Sequence, residues 1–194
     1  MINKIIIIPG LGDRVKNTEL ATRKWKSYGL EPIIYSANWY SKEGFSEKLA
    51  KLLKFIDSLV SNGDKVSIIG CSAGASLALN AFIKRKEVLS KAVSVCGRLR
   101  DGNIEGFRSL KRRARKSGSF AESVKAFEKR EGLLSPTDRN GIMTMRAICD
   151  ELVPASTSTL VGVKNIVIPV PEHSLGIYSA LSIFSNPLIR FLKY

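Results

Sequence analysis

Short apolar runs rich in β-branched residues alternate along this chain with longer stretches of helical periodicity. Six runs predict strands: Lys4–Ile8, Pro32–Ser36, Lys65–Ile69, Lys91–Cys96, Met143–Cys149 and Asn165–Val170. Most are apolar at odd and even positions alike, the pattern of strands covered by helices on both faces. Between them, Thr18–Tyr28 predicts a helix that ends at Gly29. Phe45–Val60 places Phe45, Leu49, Leu52, Ile56 and Leu59 on one helical face before an Asn62-Gly63 stop. Gly74–Lys86 and the last twenty residues, interrupted at Asn186-Pro187, complete the helices. Strand follows helix with no hairpin signal, so the pattern predicts a mostly parallel, doubly wound α/β sheet with right-handed crossovers. One segment breaks the rhythm. Arg98–Ile142 is too long for an ordinary crossover and contains a helical stretch at Phe120–Lys129, which marks an insertion.

The length of 194 residues suits one domain with a full-sized core and is short for two. Charge adds something the periodicity does not: 31 Lys and Arg against 17 Asp and Glu leave a net +14, a field that favours anionic partners. The excess concentrates in Arg98–Lys116, where eight basic residues face only two acids, Asp101 and Glu105. A single histidine and three scattered cysteines, Cys71, Cys96 and Cys149, offer no zinc-ligand spacing, and no cofactor is called for. Sparse cysteines in apolar stretches predict buried thiols in a reducing compartment, hence the cytoplasm. The apolar run Ile5–Ile8 is cut at Pro9-Gly10, too short for a signal-peptide core, and no run approaches the ~18 apolar residues of a spanning helix.

Candidate chemistry begins at Gly70-Cys71-Ser72-Ala73-Gly74. A G-x-S-x-G pattern arises by chance in about one chain in ten of this length, given average glycine and serine usage. Here it follows an apolar strand directly and opens a small-residue helix, the strand–turn–helix setting that lifts a serine hydroxyl above a sheet edge. A serine needs a base, and the base needs an orienting carboxylate. The base can only be His173, which lies just past the last predicted strand. Asp150, directly after the fifth strand, is the preferred acid; Asp101 and Glu151 are its competitors, and capping the following turn is the plainer role for Asp150. The glycine-rich loop Pro9-Gly10-Leu11-Gly12 after the first strand can turn N–H groups inward, so the oxyanion donors would be the N–H groups of Leu11 and Ala73. Neither G-x-G-x-x-G nor G-x-x-x-x-G-K-S occurs, which disfavours nucleotide binding.

Taken in order, strand plus Pro-Gly-Leu-Gly, then Gly-Cys-Ser-Ala-Gly, strand plus Asp-Glu-Leu-Val-Pro, and strand plus Glu-His-Ser, the chain resembles the α/β-hydrolase superfamily over nearly its whole length. The resemblance implies a minimal member: six parallel strands in the order 2-1-3-4-5-6, without the superfamily's first two antiparallel strands. Ser72, Asp150 and His173 would be the triad and Leu11 and Ala73 the oxyanion hole. The insertion 98–142 falls where this family places a cap or lid. Two departures stand out, the absence of a His-Gly start in the oxyanion loop and the basic character of the insertion.

Other features have bland readings. Cys71 precedes the elbow centre and should point away from the site. Trp39-Tyr40 could line an acyl pocket, although loop aromatics more often pack on helices. The C-terminal apolar spacing suits a docking helix covering the sheet better than a membrane anchor. The expectation is a serine hydrolase of small esters or related acyl bonds, carboxylesterase-like, with lipase, thioesterase and then peptidase behind. The alternative is a non-catalytic protein that uses Arg98, Arg100, Arg108, Lys111, Arg112, Arg113, Arg115 and Lys116 to hold an anionic surface or polymer. No aromatic interleaving supports specific nucleic-acid binding.

Overall fold

The computed structural model describes residues 3–60 and 65–194. Its first half runs β1 (Asn3–Ile8), α1 (Val15–Thr22), β2 (Leu30–Ile34), α2 (Phe45–Val60), β3 (Lys65–Cys71), α3 (Ala73–Lys84) and β4 (Leu89–Val95). The second half runs α4 (Leu110–Arg113), α5 (Gly118–Arg130), α6 (Pro136–Asn140), β5 (Ile142–Ala147), α7 (Ala155–Ser158), β6 (Lys164–Ile168), α8 (His173–Leu181) and α9 (Asn186–Lys193). The six strands pair in the order β2-β1-β3-β4-β5-β6, every pair parallel, as expected. The isoleucine run of β1 shows why both faces had to be apolar. Ile6 and Ile8 pack toward α2, α3 and α5, while Ile5 and Ile7 pack toward Trp25 and the C-terminal helices.

Several boundaries differ from the sequence pattern. β2 begins at Leu30, ahead of Pro32, and an edge strand tolerates proline because its missing N–H can face away from the ladder. The helix expected over Thr18–Tyr28 stops at Thr22 and resumes as a 3-10 turn, Trp25–Tyr28. There the buried Trp25 swings its indole N–H onto the Leu181 carbonyl at 2.9 Å. In the C-terminal stretch the break falls at residues 182–185, and Asn186-Pro187 opens α9 instead, where a proline in the first turn loses no helical bond. The Asn62-Gly63 stop lies outside the described residues. Cys71 and Cys96 are buried as expected. Cys149 is exposed, because β5 ends at Ala147 and the chain has already left the sheet. Among the described residues no single helix is long and apolar enough to cross a membrane.

The insertion divides in two. α5 joins the core: Phe120, Val124 and Phe127 are buried against α3, and the Ser76 and Ser123 hydroxyls meet at 2.9 Å. Asn80 donates to the Ser123 carbonyl at 3.0 Å and accepts from Arg130 at 2.9 Å. The first half is tied down by Arg98, expected to be an exposed cation but only 2% accessible. Its guanidinium donates to the carbonyls of Arg100, Asp101 and Arg108 at 2.9, 2.6 and 2.5 Å. Burying an unpaired charge is costly, and three carbonyl dipoles formed by the turn of the chain offset that cost. Arg100 is likewise spent on Glu131, at 2.5 Å. Lys111, Arg112, Arg115 and Lys116 remain as the exposed cations of the segment.

Candidate active site

All the candidate residues come from carboxyl ends of the parallel strands, the rim where an open α/β sheet presents its loops. Ser72 sits between β3 and α3 with φ 53° and ψ −116°, a left-handed conformation that a non-glycine residue adopts only under strain. The turn is enforced by its flanking glycines. A Cβ on Gly70 would collide with the backbone of Gly74 and Ala75, and one on Gly74 would collide with the Ile8 and Pro9 carbonyls of the β1 edge. The loop after β1 is equally close, since a Cβ on Gly10 would lie 2.9 Å from the Ser72 Cβ.

The sequence-separated groups converge here. His173 Nε2 lies 2.9 Å from Ser72 Oγ, and His173 Nδ1 lies 2.7 Å from Asp150 Oδ2. His173 and Asp150 are 4% and 8% exposed, so their contact is shielded from water. His173 is the first residue of α8, whose N-cap Glu172 accepts from the Ser174 and Leu175 N–H groups, while the His173 N–H donates to Glu151 at 2.9 Å. Asp150 uses both oxygens. Oδ1 accepts from Leu152 N–H at 2.9 Å and Val153 N–H at 2.8 Å, which caps the turn, and Oδ2 faces the imidazole. The capping role and the orienting role are therefore compatible, one oxygen for each. Burial pushes the Asp150 carboxyl up, but the His173 contact and the two backbone N–H groups outweigh it and hold the group below the usual carboxylate range. With His173 Nδ1 protonated toward this carboxylate, Nε2 is free to accept a proton from the serine.

The competitors lie elsewhere. Asp101 stands 4.0 Å from the Arg98 guanidinium, and Glu151 meets the His173 backbone rather than its ring. Asp150 does not follow β5 directly: Ile148, whose N–H donates to the Val170 carbonyl at 3.0 Å, and Cys149 lie between the strand end and it. Among the described residues the N–H groups of Leu11 and Ala73 have no hydrogen-bond partner within the protein. Cys71 is buried and its thiol is pushed far up by desolvation; burial and the nearby Asp150 carboxylate push Cys96 up to about 12. Neither thiol is a nucleophile in that state. Trp39 is buried, its indole N–H near the Pro9 carbonyl at 3.3 Å and its ring edge-on to Phe120 at 6.0 Å, whereas Tyr40 is exposed.

A cavity of about 270 Å³ opens over the serine, walled by Gly10, Leu11, Arg14, Arg113, His173 and Tyr178. A smaller recess of about 30 Å³ continues inward from Ser72 to Arg98, Phe120 and Leu152. A larger cavity, about 680 Å³, lies between α1 and α8 and does not include Ser72; the residue it shares with the serine cavity is Tyr178. Sequence reasoning missed Arg14 and Leu152 as cavity walls and Glu172 as the cap that places His173. Only Glu172 had a local signal, its position just ahead of an apolar helical run.

No family model and no curated protein matches the chain. Solved structures do. An α/β hydrolase enzyme from the metagenome of lagoon sediments at Mar Chica, Morocco, superposes with a TM-score of 0.73 at 16% identity, covering 100% of this chain and 91% of that one. Est1E from Butyrivibrio proteoclasticus gives 0.70 at 14%, covering 99% and 87%. A monoacylglycerol lipase from Paleococcus ferrophilus gives 0.67 at 12%, covering 97% and 93%. At these identities the likeness is one of fold: the chain has the α/β-hydrolase fold.

Proposed function

We propose that this protein is a serine hydrolase of esters or related acyl bonds, of the carboxylesterase type. Ser72 Oγ attacks the carbonyl carbon and His173 Nε2 takes its proton. The N–H groups of Leu11 and Ala73 hold the developing oxyanion. His173 then returns the proton to the leaving alcohol, and a water attacks the acyl-serine by the same route in reverse. Asp150 keeps the imidazole in the accepting tautomer and balances its positive charge during transfer. The observation that carries this reading is the unbroken Ser72–His173–Asp150 hydrogen-bond chain of 2.9 and 2.7 Å, with its serine on a strained turn. Strain of about 1–3 kcal/mol persists only where surrounding structure enforces it, and such strain concentrates at functional sites.

A fluorophosphonate probe should label the wild-type protein at one serine, and Ser72→Ala should abolish both labelling and p-nitrophenyl ester turnover, by on the order of 10³-fold or more. Wild-type turnover in that variant would refute the proposal. The second reading, an anion-binding protein that does no chemistry, draws on the exposed Lys111, Arg112, Arg115 and Lys116. It predicts binding to anionic vesicles or polynucleotide that falls with salt, and no labelling at Ser72.

A further inference from the structure

We propose that the serine cavity selects acyl substrates bearing a carboxylate or phosphate group close to the scissile bond, held by Arg14 and Arg113. The proposal rests on the hydrolase reading above and names its substrate class.

Arg14 comes from the loop after β1, immediately ahead of α1, and Arg113 from α4 on the insertion; both line the cavity that contains Ser72 and His173. Among the described residues neither guanidinium has a carboxylate within 4.0 Å, although 17 acids are available in the chain. Arg113 rests on the Phe107 ring at 5.1 Å, a contact that orients the planar group without neutralising it. Behind both, Arg98 reaches the inner recess with only backbone carbonyls as hydrogen-bond partners and Asp101 at the 4.0 Å limit.

One acid shares the cavity: Asp13, whose Oδ2 accepts from the Ser36 hydroxyl and the Asn38 N–H and whose Oδ1 is buried with no hydrogen-bond partner among the described residues. The other nearby acids are committed elsewhere. Asp150 is held by His173 and two backbone N–H groups. Glu151 and Glu172 accept backbone N–H groups at the start of α8, and neither lines the cavities at the serine. A guanidinium is always charged at neutral pH and presents a planar set of donors that matches carboxylate or phosphate oxygens. Two such groups, from different elements and neither ion-paired, outnumber the single carboxylate of Asp13 in the same lining and leave the mouth of the site positive on balance.

Paired esters test this. The anion is placed on the acyl side by p-nitrophenyl adipate half-ester against p-nitrophenyl hexanoate, and on the alcohol side by p-acetoxybenzoate against p-acetoxybenzamide. Each rate is referred to the uncatalysed hydroxide rate of the same ester. In low salt, kcat/KM should favour the anionic member of at least one pair by about tenfold or more, and added salt should erode the preference. Arg14→Gln or Arg113→Gln should cut that ratio several-fold, while Lys193→Gln, which removes one charge at the far end of α9, should leave it unchanged. A wild-type enzyme that turns over the neutral esters with no preference in either pair overturns the proposal and leaves the hydrolase reading intact. A protein inert to all four esters and to fluorophosphonate overturns both.

Discussion

Replacing Ser72 by glycine should give a more stable protein than replacing it by alanine, the reverse of the order inside a helix. Both variants lose the hydroxyl and its bond to His173, so the difference between them isolates the backbone. At φ 53° and ψ −116° a Cβ-bearing residue is strained by about 1–3 kcal/mol, which glycine does not incur. Against that, glycine gives up about 0.5–1 kcal/mol relative to alanine through the greater freedom of its unfolded chain. The half-buried methyl of alanine contributes a further ~0.4 kcal/mol. Strain is the largest of the three, so Ser72→Gly should exceed Ser72→Ala by about 1 kcal/mol, or about 2–4 °C in melting temperature for a chain of 194 residues. Thermal unfolding followed by circular dichroism, on both variants in one buffer, measures it. An alanine variant that melts at or above the glycine variant would show that the elbow stores no strain, and the argument that this turn is held for a purpose would fail with it.

Asp150→Asn should lower kcat by on the order of 10³–10⁴-fold with KM little changed, because the carboxylate acts on His173 and not on substrate, and Asp101→Asn should leave kcat near wild type. Stability should show an acid dependence. The Asp150 carboxyl is depressed in the folded state, so its contribution is present above the unfolded value of about 3.9 and is lost as pH falls through the lower folded value. Urea unfolding of Asp150→Asn should accordingly show a shallower loss between pH 4 and lower pH than the wild type, and an equally steep one would refute the assignment. Of the three thiols, Cys149 alone should react quickly with a disulfide reagent in the native protein, and all three after denaturation.

The order of strands was legible because each connection joins a two-faced apolar run to an amphipathic one, and only parallel crossovers satisfy that pattern. The candidate site was legible for a different reason. With one histidine in the chain, a serine on a strand–turn–helix junction had a single partner to find, and the carboxyl ends of β3 and β6 brought the two together. What escaped the sequence depends on contacts across long separations. The charge of Arg98 reads as solvated surface until the turn through Arg100, Asp101 and Arg108 supplies its carbonyls. The insertion reads as one appendage until Phe120, Val124 and Phe127 are seen buried on α3. Arg14 and Arg113 sit 99 positions apart and come to one cavity only because the β1 loop and α4 both border it.

The lone, buried His173 also makes the molecule unusually easy to watch. In a magnetic resonance spectrum the imidazole carbon-bound protons of this chain come from one residue, so they need no assignment and report directly on the group between Ser72 and Asp150. The Nδ1 proton, 2.7 Å from heavy atom to heavy atom and shielded at 4% exposure, should exchange slowly enough with solvent to give a far-downfield line. Adding an acylating inhibitor or exchanging Asp150 for asparagine would each move that single signal. The state of the proton in the proposed reaction thus becomes an observable of the whole, unlabelled protein, provided that it is prepared without a polyhistidine tag.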